Sequence, residues 1–128
     1  MGGVDNILDI ATLSHICDIF IMNWTVEYLN ETVRNEFLAL PPDMLASMLK
    51  IVEIIEAYGL ERVGMPYVRH LQEKLWEIRG RGRDGIARSI YVTATGKRVV
   101  IVRSFVKKTQ QTPQEEIKLA LRRAKEVD

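Results

Sequence analysis

Three stretches in the second half of the chain restrict the fold more than any other feature: LWEIR at residues 75–79, IARSIYVT at 86–93 and RVVIVRSFV at 98–106. Each is rich in β-branched and aromatic residues. The intervening GRGRDG and ATGK supply the glycine and polar residues of turns, so the three are predicted to form an antiparallel meander. The unbroken apolar run Val99–Val102 fits a strand covered on both faces near the middle of the sheet.

Helices to cover such a sheet are legible on either side of it. WTVEYL (24–29) alternates like a short strand, and Asn30 is placed to cap a helix with Val33, Phe37 and Leu40 on its apolar face. LPPDMLASMLKIVEIIEAYG follows, with prolines at its start, an apolar stripe of Leu45, Met48, Leu49, Val52 and Ile55, and Gly59 as a stop. These two helices are expected to form a hairpin. After the meander, Thr112, Pro113 and Glu115 read as N-cap, first-turn proline and capping-box acid of a last helix. Its stripe is Ile117, Ala120, Leu121 and Ala124, with Lys118, Arg122 and Lys125 on the exposed face. The expected fold is α+β: an N-terminal strand and helical hairpin on an antiparallel meander, then a C-terminal helix, in a domain spanning residues 23–128. Residues 1–22 stand outside this plan, either as a helix over Ile7–Ile21 that packs on the domain or a partner, or as an extension upstream of a start at Met22.

A length of 128 residues with 47% apolar content suits one domain with one modest core. The single cysteine, Cys17, cannot make an intrachain disulfide, and no Cys/His cluster has metal-ligand spacing. A reducing, cytoplasmic setting without metal or cofactor is expected. The apolar stretch Ile7–Met22 contains Asp9, His15 and Asp18 and lacks a basic leading region, which fits neither a membrane span nor a signal peptide.

The net charge of +1 conceals a division. Residues 1–66 hold ten acidic residues against three basic ones, whereas residues 67–128 hold seven against fifteen. From Arg79 to Lys108, nine basic residues face only Asp84. Such a block marks either a polyanion-binding surface or a merely solvated face. Lys107 and Lys108 close a strand whose face also carries Arg103 and Phe105, and strand ends on a rigid sheet hold side chains well enough for chemistry.

The ordered combination LWEIR, GRDGIARSIYVT and GKRVVIVRSFVKKTQQTPQEEIKLALRR resembles the phage-derived branch of the RelE/HigB toxins, within the RelE/ParE superfamily. The resemblance covers roughly residues 23–127. It implies a small bacterial or phage toxin neutralised by a co-encoded antitoxin, often a helix-turn-helix protein. It also implies metal-independent cleavage of mRNA at the ribosomal A site by a basic sheet surface. By motif, Arg79 matches the basic residue of the first meander strand, Arg88 the arginine of the middle strand and Lys108 the cation after the last strand, with Lys107 beside it. Glu77 stands where some relatives carry a second lysine, and no tyrosine or histidine near the C-terminal helix matches the further catalytic group of others. ParE-type relatives share the fold but inhibit a topoisomerase, so a non-catalytic inhibitor and an inactive toxin-fold protein are the competing expectations.

Cleavage by a neighbouring 2′-OH requires that hydroxyl to lose its proton, the leaving 5′-oxygen to gain one, and the charge on phosphorus to be stabilised. Arginine suits the last task, which is assigned to Arg88 with Arg79 or Arg103 in support. Crowded cations lower each other's pKa, so Lys107 or Lys108 is a candidate base or acid, or binds phosphate only. Arg81 and Arg83 in the turn are expected to contact RNA backbone. Tyr91 and Phe105 either stack on an unpaired base or pack beneath a helix, and Trp76 is expected in the core. His70 is a surface residue, a satisfied loop histidine or a proton carrier.

Overall fold

The computed structural model describes residues 23–107 and 111–127. The two readings of the N-terminal segment, and the placement of Lys108, lie outside those residues.

Thr25–Tyr28 form β1, and Asn30 then caps α1 (Glu31–Leu38) as expected, its Oδ1 accepting the Val33 N–H at 3.0 Å. Helix α2 (Pro42–Tyr58) begins at its proline and ends at Gly59, whose φ of 99° is the left-handed stop that glycine tolerates. A short 3₁₀ turn at Leu60–Arg62 leads to β2 (Val68–Gln72), and the meander follows as β3 (Leu75–Gly82), β4 (Gly85–Ala94) and β5 (Arg98–Lys107). Helix α3 (Gln114–Ala124) completes the described chain. No helix among the described residues is long and apolar enough to cross a membrane.

The sheet has five strands in the order β1-β5-β4-β3-β2, antiparallel except for β1, which runs parallel to β5. Helices α1 and α2 lie on one face, where Val33, Phe37, Met48 and Ile55 meet Ile78, Tyr91, Val99 and Ile101. Helix α3 lies on the other, where Ile117, Ala120 and Ala124 meet Leu75, Ile90, Val92, Val100 and Val102. The apolar run in β5 is therefore buried on both sides, as its composition predicts.

Residues 68–72, which carry no strand signal of their own, form the edge strand β2 because their backbone pairs with Leu75–Ile78. Three local expectations are corrected. The buried stripe of α2 is Met44, Met48, Ile51 and Ile55, while Leu49 is exposed. This helix is apolar over a wide arc, and close approach to β3 selects the face. A Cβ at Gly80 would stand 2.8 Å from the Met44 carbonyl oxygen and one at Gly82 2.5 Å from Met44 Cγ, so α2 fits against these glycines and no larger residue. GRGRDG is not a six-residue loop, since β3 and β4 extend through it until Gly82 pairs with Gly85 and only Arg83–Asp84 turn. That tip is anchored: the Arg83 N–H donates to Asp43 Oδ2 at 2.7 Å and Ser47 Oγ donates to the Arg81 carbonyl at 2.7 Å. Finally, Thr112 does not cap α3, which has no side-chain cap, because its hydroxyl is engaged elsewhere.

Candidate nucleic-acid interface

The RGRG sequence at the end of β3 acquires a physical meaning in the sheet. Alternation sends Gly80 and Gly82 toward α2 and sends Arg79 and Arg81 to the opposite face, together with Glu77. Pairing aligns these residues into three rows across β3, β4 and β5: Glu77–Ile90–Arg103, then Arg79–Arg88–Phe105, then Arg81–Ile86–Lys107. A bulge in β5 makes this possible. Val102 is the extra residue between the pairs Tyr91–Ile101 and Ile90–Arg103, so Arg103, Phe105 and Lys107 turn to the α3 side instead of following Ile101.

Glu77 is the hub. Its carboxylate is fully buried and receives Arg88 Nη1, while Thr112 Oγ1 donates to its other oxygen at 2.8 Å and Arg79 Nε lies 3.8 Å away. Arg88 itself is 1% exposed, so its side chain is not presented at the surface for the phosphate role that the sequence assigns to it. Its charge is opposed by Glu77, and its role here is to hold that carboxylate. Arg79, with 17% of its side chain exposed, Arg81, which is exposed, and Lys107, which is partly buried, carry the positive charge outward. Burial and the neighbouring Arg88 both push the Lys107 ammonium below its ordinary value, the direction a proton-transfer role requires. Burial and Arg88 likewise lower Arg79.

Arg103 belongs to a separate cluster. Its Nε and Nη2 donate to the two oxygens of Glu116 at 2.7 and 3.1 Å, and its Nη1 lies 3.2 Å from Glu36. Arg123 grips Glu36 with two bonds of 2.9 Å and donates to the Val102 carbonyl at 2.8 Å, at a point on β5 that β1 no longer pairs. The cluster ties α1, β5 and α3 together, and Arg103 is held by two carboxylates rather than presented to a ligand.

The structure does not bring the other named residues to this surface. Tyr91 is 1% exposed and packs beneath the helical pair, which excludes base stacking by it and pushes its phenol pKa up. His70 sits across from Trp76 on the same far side, its ring 4.8 Å from the indole and its Nε2 2.7 Å from the Glu73 carbonyl oxygen, so it is a satisfied surface histidine. Trp76, expected in the core, is 39% exposed and borders a cavity of about 440 Å³ with Trp24, Glu61 and Tyr91. Arg83 is exposed at the hairpin tip.

Residues 35–125, which include every residue of both clusters, match the model of a family described as Phage derived protein Gp49-like (DUF891). The chain belongs to this family. The Gp49-like assignment agrees with the phage-derived branch indicated by the motifs. No curated protein matches the Gp49-like chain. Among solved structures it is similar to the crystal structure of the archaeal RelE–RelB complex from Pyrococcus horikoshii OT3, at 22% identity and a TM-score of 0.47, over 66% of this chain and 96% of that one.

Three residues of the Gp49-like interface escape a reading of the sequence. Arg69 of β2 pairs with Glu77 and adds a further exposed cation, which a recognised β2 would have revealed. Thr112 carries a cap signature that conceals its bond to Glu77. Tyr67, exposed beside Arg79 and Arg81, has no local signal at all.

Proposed function

We propose that this protein is the toxin of a type II toxin–antitoxin pair, a metal-independent endoribonuclease that cuts mRNA, acting on the ribosome in the cytoplasm. The observation that carries the reading is the three-row surface, on which Arg79 and Arg88 lie beside the single carboxylate of Glu77 and Arg81 and Lys107 add two further cations in the third row. The surplus positive charge is held on paired strands rather than on loops, which fixes the cations in place.

In this reading Arg79 and Arg81 bind the phosphates that flank the scissile bond, and Arg79 stabilises the charge that develops on phosphorus. Lys107, whose ammonium is made more acidic by burial and Arg88, donates its proton to the leaving 5′-oxygen, while the 2′-OH proton passes to solvent water. Lys108, next in the sequence, adds a further positive charge. Arg88 and Thr112 act through Glu77, fixing the rows and joining the start of α3 to the sheet. A co-encoded antitoxin, of helix-turn-helix type, neutralises the protein by placing acidic or apolar residues over the rows.

Induced expression with mapping of mRNA 5′ ends tests the proposal. New ends that require the wild-type protein and vanish in Arg79→Ala with Lys107→Ala are expected. Growth arrest with intact transcripts and a DNA-damage response would instead indicate an inhibitor of topoisomerase, and absence of any arrest an inactive toxin-fold protein.

A further inference from the structure

β2 begins at Val68, opposite Ile78, so among the described residues no strand lies beside the outer edge of β3 from Arg79 onward. Tyr67 occupies that corner. Its carbonyl accepts the Arg79 N–H at 2.8 Å, its own N–H is tied to the Gly64 carbonyl at 2.9 Å, and its side chain lies 54% exposed. On one side the ring borders a groove of about 260 Å³ between α2 and β3, floored by Ile51, Ile54 and Val63 and rimmed by Lys50, Arg79 and Arg81. On the other side it meets Pro66, Arg79, Arg81 and Ile86, and Ile86 pairs with Lys107. Tyr67, Arg79 and Arg81 line both hollows, so the outer edge of β3 lies between the groove and the basic rows.

An exposed phenol ring, an apolar floor and a cationic rim match a flat base attached to a phosphate. We infer that Tyr67 and this groove form a subsite for one unpaired base of the RNA strand that crosses the rows, and that this base helps to choose the cleavage position. The inference rests on the nuclease reading above. Aromatic residues beside basic grooves bind single strands in this way, the ring taking the base face and the cations the backbone.

The test uses the full chain and short single-stranded RNA oligonucleotides in which one nucleotide at a time lacks its base. Wild-type protein is expected to lose roughly tenfold in affinity at one position and little elsewhere. Tyr67→Ala should bind intact RNA roughly tenfold more weakly and become indifferent to that position, while Tyr67→Phe, which keeps the ring, should behave as wild type. Melting temperatures of both variants should match wild type, because the side chain is exposed. If the position-dependent loss persists in Tyr67→Ala while Lys107→Ala still weakens binding, the base subsite is wrong and the basic rows stand. If Tyr67→Ala weakens only antitoxin binding, the groove is a protein contact and the inference falls. If the wild-type chain binds no RNA, both readings fail.

Discussion

The two ionic clusters are built from the same residue types and meet in the row Glu77–Ile90–Arg103, yet their charges add up differently. Around Arg103, two guanidinium groups meet two carboxylates, Glu36 and Glu116, and every charge has an opposite within the cluster. Around Glu77, one carboxylate faces Arg88 and Arg79, with Arg81 and Lys107 in the next row. The balanced cluster is explained by what it joins: α1, β5 and α3, with the Val102 carbonyl of β5 also accepting from Arg123. Among the described residues the other, unbalanced cluster holds more cations than carboxylates, a surplus that the proposed RNA would meet. Arginine count along the sequence cannot separate the two, whereas pairing does.

The largest effect is expected where the unbalanced cluster is buried. Arg88→Met leaves the Glu77 carboxylate without its main partner and should cost about 3–5 kcal/mol in denaturant unfolding. Adding Glu77→Leu should recover most of that loss, since a buried pair replaced by apolar residues is close to neutral. Loss of activity in Arg88→Met alone therefore reports on folding before it reports on catalysis. In the balanced cluster, Arg123→Ala removes charged hydrogen bonds to Glu36 and Val102 and should cost about 2 kcal/mol, with activity per folded molecule unchanged.

A smaller, pH-dependent effect belongs to the same cluster. Burial pushes the Glu36 carboxyl up, but the hydrogen bond from Arg123 and the charges of Arg103 and Arg123 outweigh it and hold the group below its ordinary 4.5. A carboxylate depressed in the folded state stabilises the protein above its unfolded pKa, and that contribution is lost as pH falls through the folded value. The melting temperature should therefore decline below about pH 4.5, and less steeply in Glu36→Gln. The smallest change in stability, within about 0.5 kcal/mol, is expected for Lys107→Ala at the partly exposed end of β5, although its rate of RNA cleavage should fall roughly a hundredfold.

Much of the fold is legible in the sequence because its signals are local: β-branched runs for β3, β4 and β5, an asparagine cap for α1, and Gly59 for the end of α2. β2 is not legible, since VRHLQ holds little β-branched character and its strand state comes from pairing with β3. The site is only partly legible. Arg79 and Lys107 fall on the expected surface, but the Glu77–Arg88 pair is a diagonal across β3 and β4 that depends on register, and register depends on a turn of two residues rather than six. Thr112 illustrates the same limit from the other side. Its neighbours read locally as a helix cap, and a buried carboxylate from a distant strand takes the hydroxyl instead.

The contrast between the clusters is tested most directly by the salt dependence of binding to a short single-stranded RNA, compared across Arg79→Ala, Lys107→Ala and Arg123→Ala. Deleting a cation that neutralises one phosphate of a single strand should lower the slope of log affinity against log salt by about 0.7. A reduction of that size in Arg79→Ala and in Lys107→Ala, with the wild-type slope retained in Arg123→Ala, is the predicted result. Equal slopes in all three variants, or a reduction confined to Arg123→Ala, would contradict the assignment of the unbalanced cluster to RNA.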